Sequence, residues 1–367
     1  MTSSSAESPA GPSAEESADA TERVTIVVPV YNRAGPLLTD ALDSLLSQDY
    51  PNLEILAIDD GSTDATPRVL ADYAERHPAR VRWAQQGNQG QAATLNRGFE
   101  MAEGTLLGYL SSDDVLLEGA ISRLVRELAA DSDAVLAYPS YRVIDEAGEA
   151  LDTMTPPEYS RVESVRLQDT IVGPGALFRA SALKRAGPLR TDLRYLGDNE
   201  LWLRLSRVGR FVRVEEPLAC WRQHGGALTL AERGREMADE RLRILDRLFA
   251  EEADPELEAV RDQAYRNAYV LAATVVAPGF NRPGERYFVV DRHAREVSEN
   301  AGPESSEARL ANAREQLAAQ RGRIAELEHE VQVLRARHPL TRLAYERAPE
   351  SLRGLARRLG GRGSGGD

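Results

Sequence analysis

The stretch VTIVVPV, residues 24–30, decides the fold class. It is short, rich in β-branched residues and continuously apolar, which is typical of a strand covered on both faces of a sheet. Leucines at helical spacing follow at 37–46, and a second apolar run covers 53–58. The alternation of strand and helix patterns continues to Leu110. This order predicts an α/β fold with a mainly parallel, doubly wound sheet.

The composition is that of an ordinary globular protein. Of the 367 residues, 42% are hydrophobic and 28% are charged. The net charge of −13 argues against a chain that coats nucleic acid, so we expect no nucleic acid partner. The single cysteine, Cys220, excludes a disulfide framework and a Cys-rich metal site.

Membrane and export signals are not visible in the sequence. The longest nearly apolar stretch, residues 269–278, is about half of the ~20 residues that a membrane-spanning helix needs. The N-terminus has no basic start followed by an apolar core, as a secretion signal would have. These features predict a cytoplasmic protein.

The chain divides by composition into successive segments. Residues 1–22 hold five acids and no base, which predicts a disordered acidic tail. The α/β pattern covers residues 23–228, with a first half at 23–115 and a second half at 116–228. Residues 229–303 form a predicted helical extension.

The second half and the extension have a less regular pattern than the first half. We expect a hairpin around residues 134–144, a Gly/Pro-rich turn at 173–176, a helix at 199–208, a strand at 211–214 and helical structure over 232–277.

The C-terminal region contains a heptad pattern and a basic tail. Over residues 304–337, apolar side chains recur every seven positions from Leu310 to Val331, which favours self-association through a coiled coil or one amphipathic helix lying on its own domain. Residues 338–367 are predicted to form a basic tail that either contacts anionic lipid or an acidic partner, or is simply solvated.

Two acidic pairs follow predicted strands. Asp59-Asp60 comes after the second strand and Asp113-Asp114 after the fourth. Ligands of such sheets bind beyond the carboxyl ends of the strands. Adjacent carboxylates repel unless a cation or hydrogen-bond donors compensate, and Mg²⁺ and Mn²⁺ prefer carboxylates together with substrate phosphates. Each acidic pair could alternatively cap the helix that follows it.

Taken together, several motifs resemble family 2 glycosyltransferases of the GT-A fold. They are VVPVYNR at 27–33, IDDGSTD at 58–64, LNRG at 95–98 with AEG at 102–104, and SDD at 112–114. The resemblance extends over about 200 residues. It implies a nucleotide-sugar half at 23–115 and an acceptor half at 116–228.

The resemblance also assigns roles to individual residues. It implies that Asp114 ligates a Mg²⁺ or Mn²⁺ ion, while Asp113 contacts the ribose or the ion's water shell. Tyr31 would lie against the nucleotide base and Asp60 would bond its edge. The residues implied to bind the nucleotide sugar are Pro29, Tyr31, Asn32, Asp60, Arg97 and Asp113.

The resemblance continues into the second half. GDNELWLRL at 197–205 is similar to the segment that supplies the family's catalytic base, which implies this role for Asp198; the alternative is a helix N-cap. WRQHGG at 221–226 is similar to the loop that covers the diphosphate, so His224 or Arg222 would approach phosphate or metal. A structural role for His224 is the alternative. The turn at 173–176 either borders the acceptor or is purely structural.

The resemblance implies an inverting glycosyltransferase that uses a nucleotide-diphosphate sugar and a glycan or lipid-linked acceptor. It also implies cell-surface glycan or polysaccharide synthesis at the inner face of the cell membrane. A nucleotidyltransferase is one alternative, although Asn32-Arg33-Ala34-Gly35 is too sparse for a triphosphate loop. A non-catalytic nucleotide-sugar-binding module assembled through its coiled coil is another.

Overall fold

The computed structural model describes residues 22–168, 170–224 and 234–276. The chain forms two compact units. The first comprises residues 1–231 and 239–265, and the second comprises 232–238 and 266–367. The sheet and all contacts discussed below belong to the first unit. In the second unit, the described residues are helical.

Four parallel strands begin the sheet, in the spatial order β3-β2-β1-β4. The strands are β1 Val24–Val30, β2 Leu53–Asp59, β3 Val81–Gln85 and β4 Leu106–Tyr109. The register pairs Val24 with both Leu53 and Leu106, so these strands end at one edge of the sheet. The parallel arrangement predicted for the first half is therefore confirmed.

Three helices connect these strands, as their leucine spacing and Pro/Gly boundaries predict. They are α1 Pro36–Leu46, α2 Thr66–Arg76 and α3 Gln91–Met101. Helix α3 packs very closely on β1, because a Cβ added at Gly98 would lie 2.3 Å from Cγ1 of Val27. This contact fixes the start of α3 near the carboxyl end of the parallel strands.

The second half completes one sheet, whose order is β3-β2-β1-β4-β8-β6-β9-β5 with β7 paired to β6. Its elements are β5 Val115–Leu116, α4 Ala120–Ala130, β6 Ala134–Ile144, β7 Ala150–Met154, α5 Arg161–Leu167, β8 Leu177–Arg179, α6 Ala180–Ala186, α7 Gly197–Leu205 and β9 Arg210–Arg222. Among the described strands, four of the eight pairings are antiparallel. The whole sheet is therefore mixed, and a mainly parallel sheet holds only for the first half.

Two elements of the second half differ from their predicted extents. Residues 134–144 are a single strand, and the hairpin partner of this strand is β7. The strand predicted at 211–214 continues to Arg222, because a shift in its pairing with β6 accommodates Pro217 without ending the strand. Because β9 is longer, its last residue, Arg222, lies next to Asp114.

The core of the second half fixes helix α7. Trp202 is 2% exposed, and its ring lies edge-on to Phe178 of β8 at 5.8 Å between centroids. Tyr138 of β6 is fully buried in the same cluster. Burying an aromatic side chain of this size stabilises the folded state by about 2–3 kcal/mol. The first turn of α7 is thereby held against the sheet.

Two further helices follow, α8 Gly234–Glu251 and α9 Pro255–Val276. Leu245 and Leu248 of α8 are buried, and the Phe249 ring stacks on the Tyr265 ring of α9 at 5.9 Å between centroids. Among the described helices, none is long and apolar enough to cross a membrane. The predictions for residues 1–21, 304–337 and 338–367 lie outside the described residues.

Glu54 is a charged group inside the parallel half. It is 3% exposed and accepts hydrogen bonds from the Thr25 hydroxyl at 2.6 Å and the Glu103 backbone N–H at 3.0 Å, with Arg82 as a third donor. Burial by itself raises the pKa of Glu54, but these hydrogen bonds outweigh burial and hold the pKa below the ordinary glutamate value. Glu54 therefore stabilises the fold in its ionised form.

We expect Glu54→Gln to lower the free energy of unfolding at pH 7 by about 1–3 kcal/mol, because charge-assisted hydrogen bonds are lost. Folding lowers the pKa of Glu54, so its contribution is complete above the unfolded-state pKa and disappears as pH falls through the folded-state pKa. Urea unfolding of both proteins over a pH series should show the gap closing under acidic conditions. Glu75→Gln, on an exposed helix face, is the control; an equal effect there, or a gap independent of pH, contradicts the prediction.

Candidate active site

The loops after β1 and β2 are joined by hydrogen bonds at the carboxyl edge of the sheet. The Asn32 N–H donates to the Ser62 hydroxyl at 2.8 Å, and Oδ1 of Asn32 accepts from the Thr63 N–H at 2.8 Å. Asn32 has a φ of 47°, a conformation that asparagine tolerates better than most residues. The Ala34 N–H donates to Asp64 at 3.0 Å. Asn32 thus shapes this edge through its contacts with the loop after β2.

Tyr31 stands on this edge with 49% of its surface exposed. It is a large aromatic side chain left accessible next to Pro29, whose strand is otherwise almost completely buried. An exposed aromatic ring at a sheet edge offers a flat surface on which a planar ligand can stack. Tyr31 and Pro29 therefore lie together at the carboxyl edge of the sheet, and the contact with a nucleotide base that the resemblance implies stays a prediction.

Asp60 organises the wall beside Tyr31. It is 4% exposed and accepts three hydrogen bonds, from the Gln86 side chain at 2.8 Å, the Gln89 N–H at 2.9 Å and the Gly90 N–H at 2.8 Å. Gly61 has a φ of +77°, and a Cβ there would lie 2.8 Å from the Asn88 nitrogen. Asp60 consequently fixes the loop before α3 at the carboxyl edge of the sheet.

Arg97 is linked to Asp60 through the side chain of Gln86. Its guanidinium donates to the Gln85 carbonyl at 2.9 Å and to Oε1 of Gln86 at 3.3 Å, while the amide nitrogen of Gln86 donates to Asp60. Arg97 therefore orients the side chain that holds Asp60. Its visible contacts are with the protein, and a direct contact with a nucleotide sugar stays a prediction.

The Asp113 carboxylate contacts side chains from two other parts of the chain, one after β1 and one after β9. Its Oδ2 lies 3.2 Å from Nη2 of Arg33, which follows β1, and 2.9 Å from Nε2 of His224, which follows β9. His224 is 8% exposed. The structure therefore brings together Asp113 and His224, two site residues that are 111 positions apart in the sequence.

Asp114 is a buried carboxyl group, 6% exposed. Its Oδ1 accepts from the Arg222 N–H at 2.9 Å, because Val115 pairs with Cys220 where β5 meets β9. Burial and the neighbouring Asp113 charge raise the pKa of Asp114 to about 8. The site is therefore short of positive charge at this position.

Arg222 does not reach outward, contrary to the alternative that it approaches phosphate or metal. It is 3% exposed, and its guanidinium donates to the Asp113 carbonyl at 2.9 Å, the Glu146 carbonyl at 3.0 Å and the Asp40 carboxylate at 3.0 Å. These contacts use all three nitrogens. Arg222 is thus a buried support for the loop that carries Asp113.

The acidic pair fits a divalent cation whose remaining ligands come from water and the substrate phosphates. Among the described residues, no group of three or more His, Cys, Asp or Glu side chains forms a ready-made metal cage. Mg²⁺ is commonly held by one or two carboxylates together with water and substrate phosphates, so a cage is not needed. The raised pKa of Asp114, caused by burial and by Asp113, is the observation that fits such an ion.

Asp198 lies in the first turn of α7, which begins at Gly197. Its Oδ2 accepts from the Tyr109 hydroxyl at 2.9 Å and its Oδ1 from the Asn199 N–H at 2.7 Å. The N-cap residue of the helix is Leu196, so the capping alternative for Asp198 is wrong. Burial raises the pKa of Asp198 despite these hydrogen bonds.

Tyr109 links Asp198 to the acidic pair. The pKa of Tyr109 is raised well above its ordinary value by burial, by the Asp198 carboxylate that it bonds and by the nearby charge of Asp114. Tyr109 ends β4, and the chain continues from there to Asp113-Asp114, so its hydrogen bond to Asp198 joins α7 to the strand that leads into the acidic pair. Tyr109 was not predicted as a site residue, and its position at the end of β4 was the available signal.

Glu200 is a second residue near the site that was not predicted from the sequence. It is 6% exposed and accepts from Arg204 at 2.8 and 2.7 Å and from Arg190 at 2.7 Å. Arg204 donates further to the Gly187 carbonyl at 2.9 Å. The four-residue spacing of Glu200 and Arg204 on a predicted helix was the available signal. This network holds the chain before α7.

The turn at 173–176 is packed tightly inside the protein. A Cβ at Gly173 would lie 2.4 Å from the Tyr141 ring, and one at Gly175, which has a φ of +84°, would lie 2.9 Å from Cβ of Ala219. These contacts support the structural interpretation of the turn.

We expect Asp114→Asn to raise the free energy of unfolding at pH 8, without divalent cations, by roughly 1–3 kcal/mol. Folding raises the pKa of Asp114 to about 8, so its neutral form favours folding at low pH and this advantage disappears as pH rises through that value. The range is smaller than the full shift implies, because a buried site can relax and admit water.

Urea unfolding in EDTA at pH 5 and pH 8 measures this effect. At pH 5 the difference between the two proteins should be smaller than at pH 8, because the stabilising effect of neutral Asp114 is lost progressively between the unfolded-state pKa of about 4 and the folded-state pKa of about 8. Asp133→Asn, in which the replaced side chain is exposed, is the control. A variant that is less stable than the wild type at pH 8 contradicts the prediction.

Comparison with known proteins places this arrangement in a family. Residues 25–186 match the family model described as Glycosyl transferase family 2. An uncharacterised glycosyltransferase of Rickettsia prowazekii is 29% identical over 213 residues, which cover 56% of this chain and 65% of the relative. Chondroitin synthase of Escherichia coli is 30% identical over 194 residues, covering 53% of this chain and 28% of that protein. The chain thus spans less than two thirds of the length of these relatives.

Solved structures share the fold at low sequence identity. Staphylococcus aureus TarS, residues 1–349 in complex with UDP-GlcNAc, has a TM-score of 0.53 and 17% identity, with 73% of this chain and 75% of that chain covered. The mannosyltransferase PcManGT from Pyrobaculum calidifontis, in complex with GDP-Man and Mn²⁺, also has a TM-score of 0.53 and 17% identity, with 94% and 89% covered. Fold, motifs and family match agree: residues 25–186 form a glycosyl transferase family 2 domain, and the chain shares the GT-A fold of these solved structures.

Proposed function

We propose that the protein is a metal-dependent, inverting glycosyltransferase. It transfers a sugar from a nucleotide-diphosphate sugar to a hydroxyl group of a glycan or lipid-linked acceptor. The single observation that carries this proposal is the hydrogen bond from the Tyr109 hydroxyl to Asp198, which joins the proposed base to the end of the strand that leads into Asp113-Asp114. A cation-binding carboxylate and a carboxylate base within one site are what this reaction requires.

The donor nucleotide binds along the edge formed by the loops after β1 and β2. Tyr31 stacks on the base and Asp60 bonds the base edge, with Pro29, Asn32 and Arg97 shaping the surroundings. The exposure of Tyr31 and the burial of Asp60 beside it support this assignment. The structural neighbours hold UDP-GlcNAc and GDP-Man, which supports a nucleotide sugar as the donor class and leaves its base and sugar open.

The residues that would hold a Mg²⁺ or Mn²⁺ ion are Asp114 and His224, while Asp113 would contact the ribose or the ion's water shell. When bound, the ion supplies positive charge to the leaving diphosphate. Arg33 and His224 both approach Oδ2 of Asp113 and so orient this carboxylate, while the Arg222 N–H orients Asp114. The presence of Mn²⁺ in the PcManGT structure supports the choice of ion.

Asp198 acts as the general base. The acceptor oxygen attacks the anomeric carbon from the face opposite the diphosphate, the bond from that carbon to the diphosphate oxygen breaks, and the acceptor proton passes to the Asp198 carboxylate. Inversion follows from this single in-line displacement. A pKa raised by burial makes Asp198 a stronger base than an ordinary carboxylate. Tyr109 and the Asn199 N–H fix the orientation of the carboxylate.

The likeness to chondroitin synthase supports polysaccharide synthesis as the biological setting. The glycosyl transferase family 2 match over residues 25–186 favours sugar transfer over the two alternatives from the sequence, a nucleotidyltransferase and a non-catalytic nucleotide-sugar-binding module. A nucleotidyltransferase would release pyrophosphate from a nucleoside triphosphate, and a non-catalytic module would bind a nucleotide sugar without turnover. A screen of UDP-, GDP- and dTDP-sugars with Mn²⁺, measuring the released nucleoside diphosphate, separates these three functions.

Asp198→Asn is expected to lower kcat by about 10²–10⁴-fold, because general base catalysis is removed while the shape of the side chain is kept. Affinity for the donor, measured by calorimetry with the matching nucleoside diphosphate and Mn²⁺, should stay unchanged. Asp133→Asn is the matched control and should be fully active. Full transfer activity of Asp198→Asn, with intact donor binding, would show that the base is assigned wrongly.

Chelation by EDTA should abolish transfer, and added Mn²⁺ or Mg²⁺ should restore it. We expect Asp114→Asn to weaken nucleoside diphosphate binding by at least about tenfold in Mn²⁺ and much less in EDTA, because it removes a charged ligand of the ion. Nucleotide-dependent thermal stabilisation with and without Mn²⁺ measures this difference. Equal stabilisation under both conditions contradicts the assignment of metal dependence.

A further inference from the structure

Glu240 is a buried acid outside the residues that match the family. It lies on α8, is 2% exposed and follows the matched region 25–186. Its Oε1 accepts from the Arg194 N–H at 2.6 Å, and its Oε2 accepts from the Tyr195 and Leu196 N–H groups at 2.9 Å each. One carboxylate thus binds three consecutive backbone N–H groups.

These three N–H groups come directly before α7. The first N–H groups of a helix and the residues just before it have no partner within the helix. Leu196, the N-cap residue of α7, has no side chain that could accept a hydrogen bond. Glu240 supplies acceptors for the three N–H groups just ahead of the helix, from 44 residues further along the chain than Leu196. The negative carboxylate is also favourable at the positive end of the helix.

A second anchor holds the other end of the same loop, which we define as the α7 approach, residues 189–196. Asn96 of α3 accepts from the Leu189 N–H at 2.8 Å and donates to the Leu189 carbonyl at 2.8 Å. Between the two anchors, Leu193 is 1% exposed. The backbone from Leu189 to Leu196 is therefore fixed at both ends, and Asp198 follows two residues later.

We propose that Glu240 is a positioning residue for the transfer reaction: it fixes the α7 approach so that the Asp198 carboxylate meets the acceptor hydroxyl. The inference rests on the proposed function, in which Asp198 is the base. Glu240 has no place in donor binding, because its contacts are with the backbone before α7. The helical extension thereby adds a support to the site from outside the family-matched residues.

The charge of Glu240 has a separate effect on Asp198. The groups that face Asp198 are the Tyr109 hydroxyl from β4, the Asn199 N–H from its own helix and the more distant Glu240 carboxylate from α8. Glu240 itself faces the three backbone N–H groups and Nη2 of Arg243 at 3.8 Å. The negative charge of Glu240 contributes to the raised pKa of Asp198. Its removal should lower that pKa.

The experiment compares Glu240→Gln and Glu240→Ala with Glu258→Gln. Glu258 is an exposed acid on α9 that pairs only with its helical neighbour Arg261 in the described contacts, so it is a matched control. Glutamine keeps the size of Glu240, but its amide NH₂ faces N–H donors and cannot accept from all three. The full-length protein is used, with the best donor from the screen and Mn²⁺.

We expect Glu240→Gln to lower kcat by about 10–100-fold, since small misplacements of catalytic groups have effects of this size. KM for the donor and nucleoside diphosphate affinity should stay within about twofold of wild type. The acidic limb of the kcat/KM profile should move to lower pH. Hydrogen exchange at the amides of 194–196 should accelerate in both Glu240 variants and remain slow in Glu258→Gln.

Wild-type kcat and an unmoved acidic limb in Glu240→Gln would overturn the proposal. So would unchanged amide exchange at 194–196 in Glu240→Ala, which is readable even if no donor is turned over. Failure of the proposed function has a different signature, namely an active Asp198→Asn variant or no transfer by wild type from any donor. If Glu240→Ala unfolds, Glu240→Gln supplies both the kinetic and the exchange measurements.

Discussion

The antiparallel pairing of β5 with β9 is the contact on which the candidate site depends. β5 has only two residues and begins directly after Asp113-Asp114, so its pairing with the end of β9 sets where the acidic pair lies. Through this pairing the backbone N–H of Arg222 reaches Asp114, and His224 reaches Asp113. A one-residue change of register would turn these side chains to the opposite face of the sheet. The register of a very short strand thus determines the chemistry.

The site concentrates negative charge in a buried environment. Burial and Asp113 raise the pKa of Asp114, and burial raises the pKa of Asp198. The protein offsets part of this charge with Arg33 and with backbone N–H groups, which orient the carboxylates without neutralising them. Such an arrangement costs stability in the absence of a cation and a bound diphosphate. We interpret the unmet charge as the feature that prepares the site for a metal ion and an acceptor proton.

Support for the site comes largely from side chains whose visible contacts are with the protein itself. Arg222 is buried beneath the acidic pair, Arg97 holds the side chain that bonds Asp60, and Glu240 binds the backbone ahead of Asp198. Each of these residues satisfies polar groups that would otherwise be buried without partners. Their contacts join sequence segments that are far apart. Catalytic geometry in this protein therefore depends on long-range hydrogen bonds as much as on the motif residues themselves.

The sequence by itself determined the parallel half of the sheet, because β1, α1, β2 and α3 follow from local apolar patterns that need no partner to be recognised. It also predicted Asp113, Asp114 and His224 as neighbours, through motif resemblance. Only the tertiary structure decided the mixed character of the sheet, the extension of β9 to Arg222 and the roles of Tyr109, Glu200 and Glu240. The physical reason is that strand pairing and buried hydrogen bonds join distant residues, whereas periodicity reports only on neighbours along the chain.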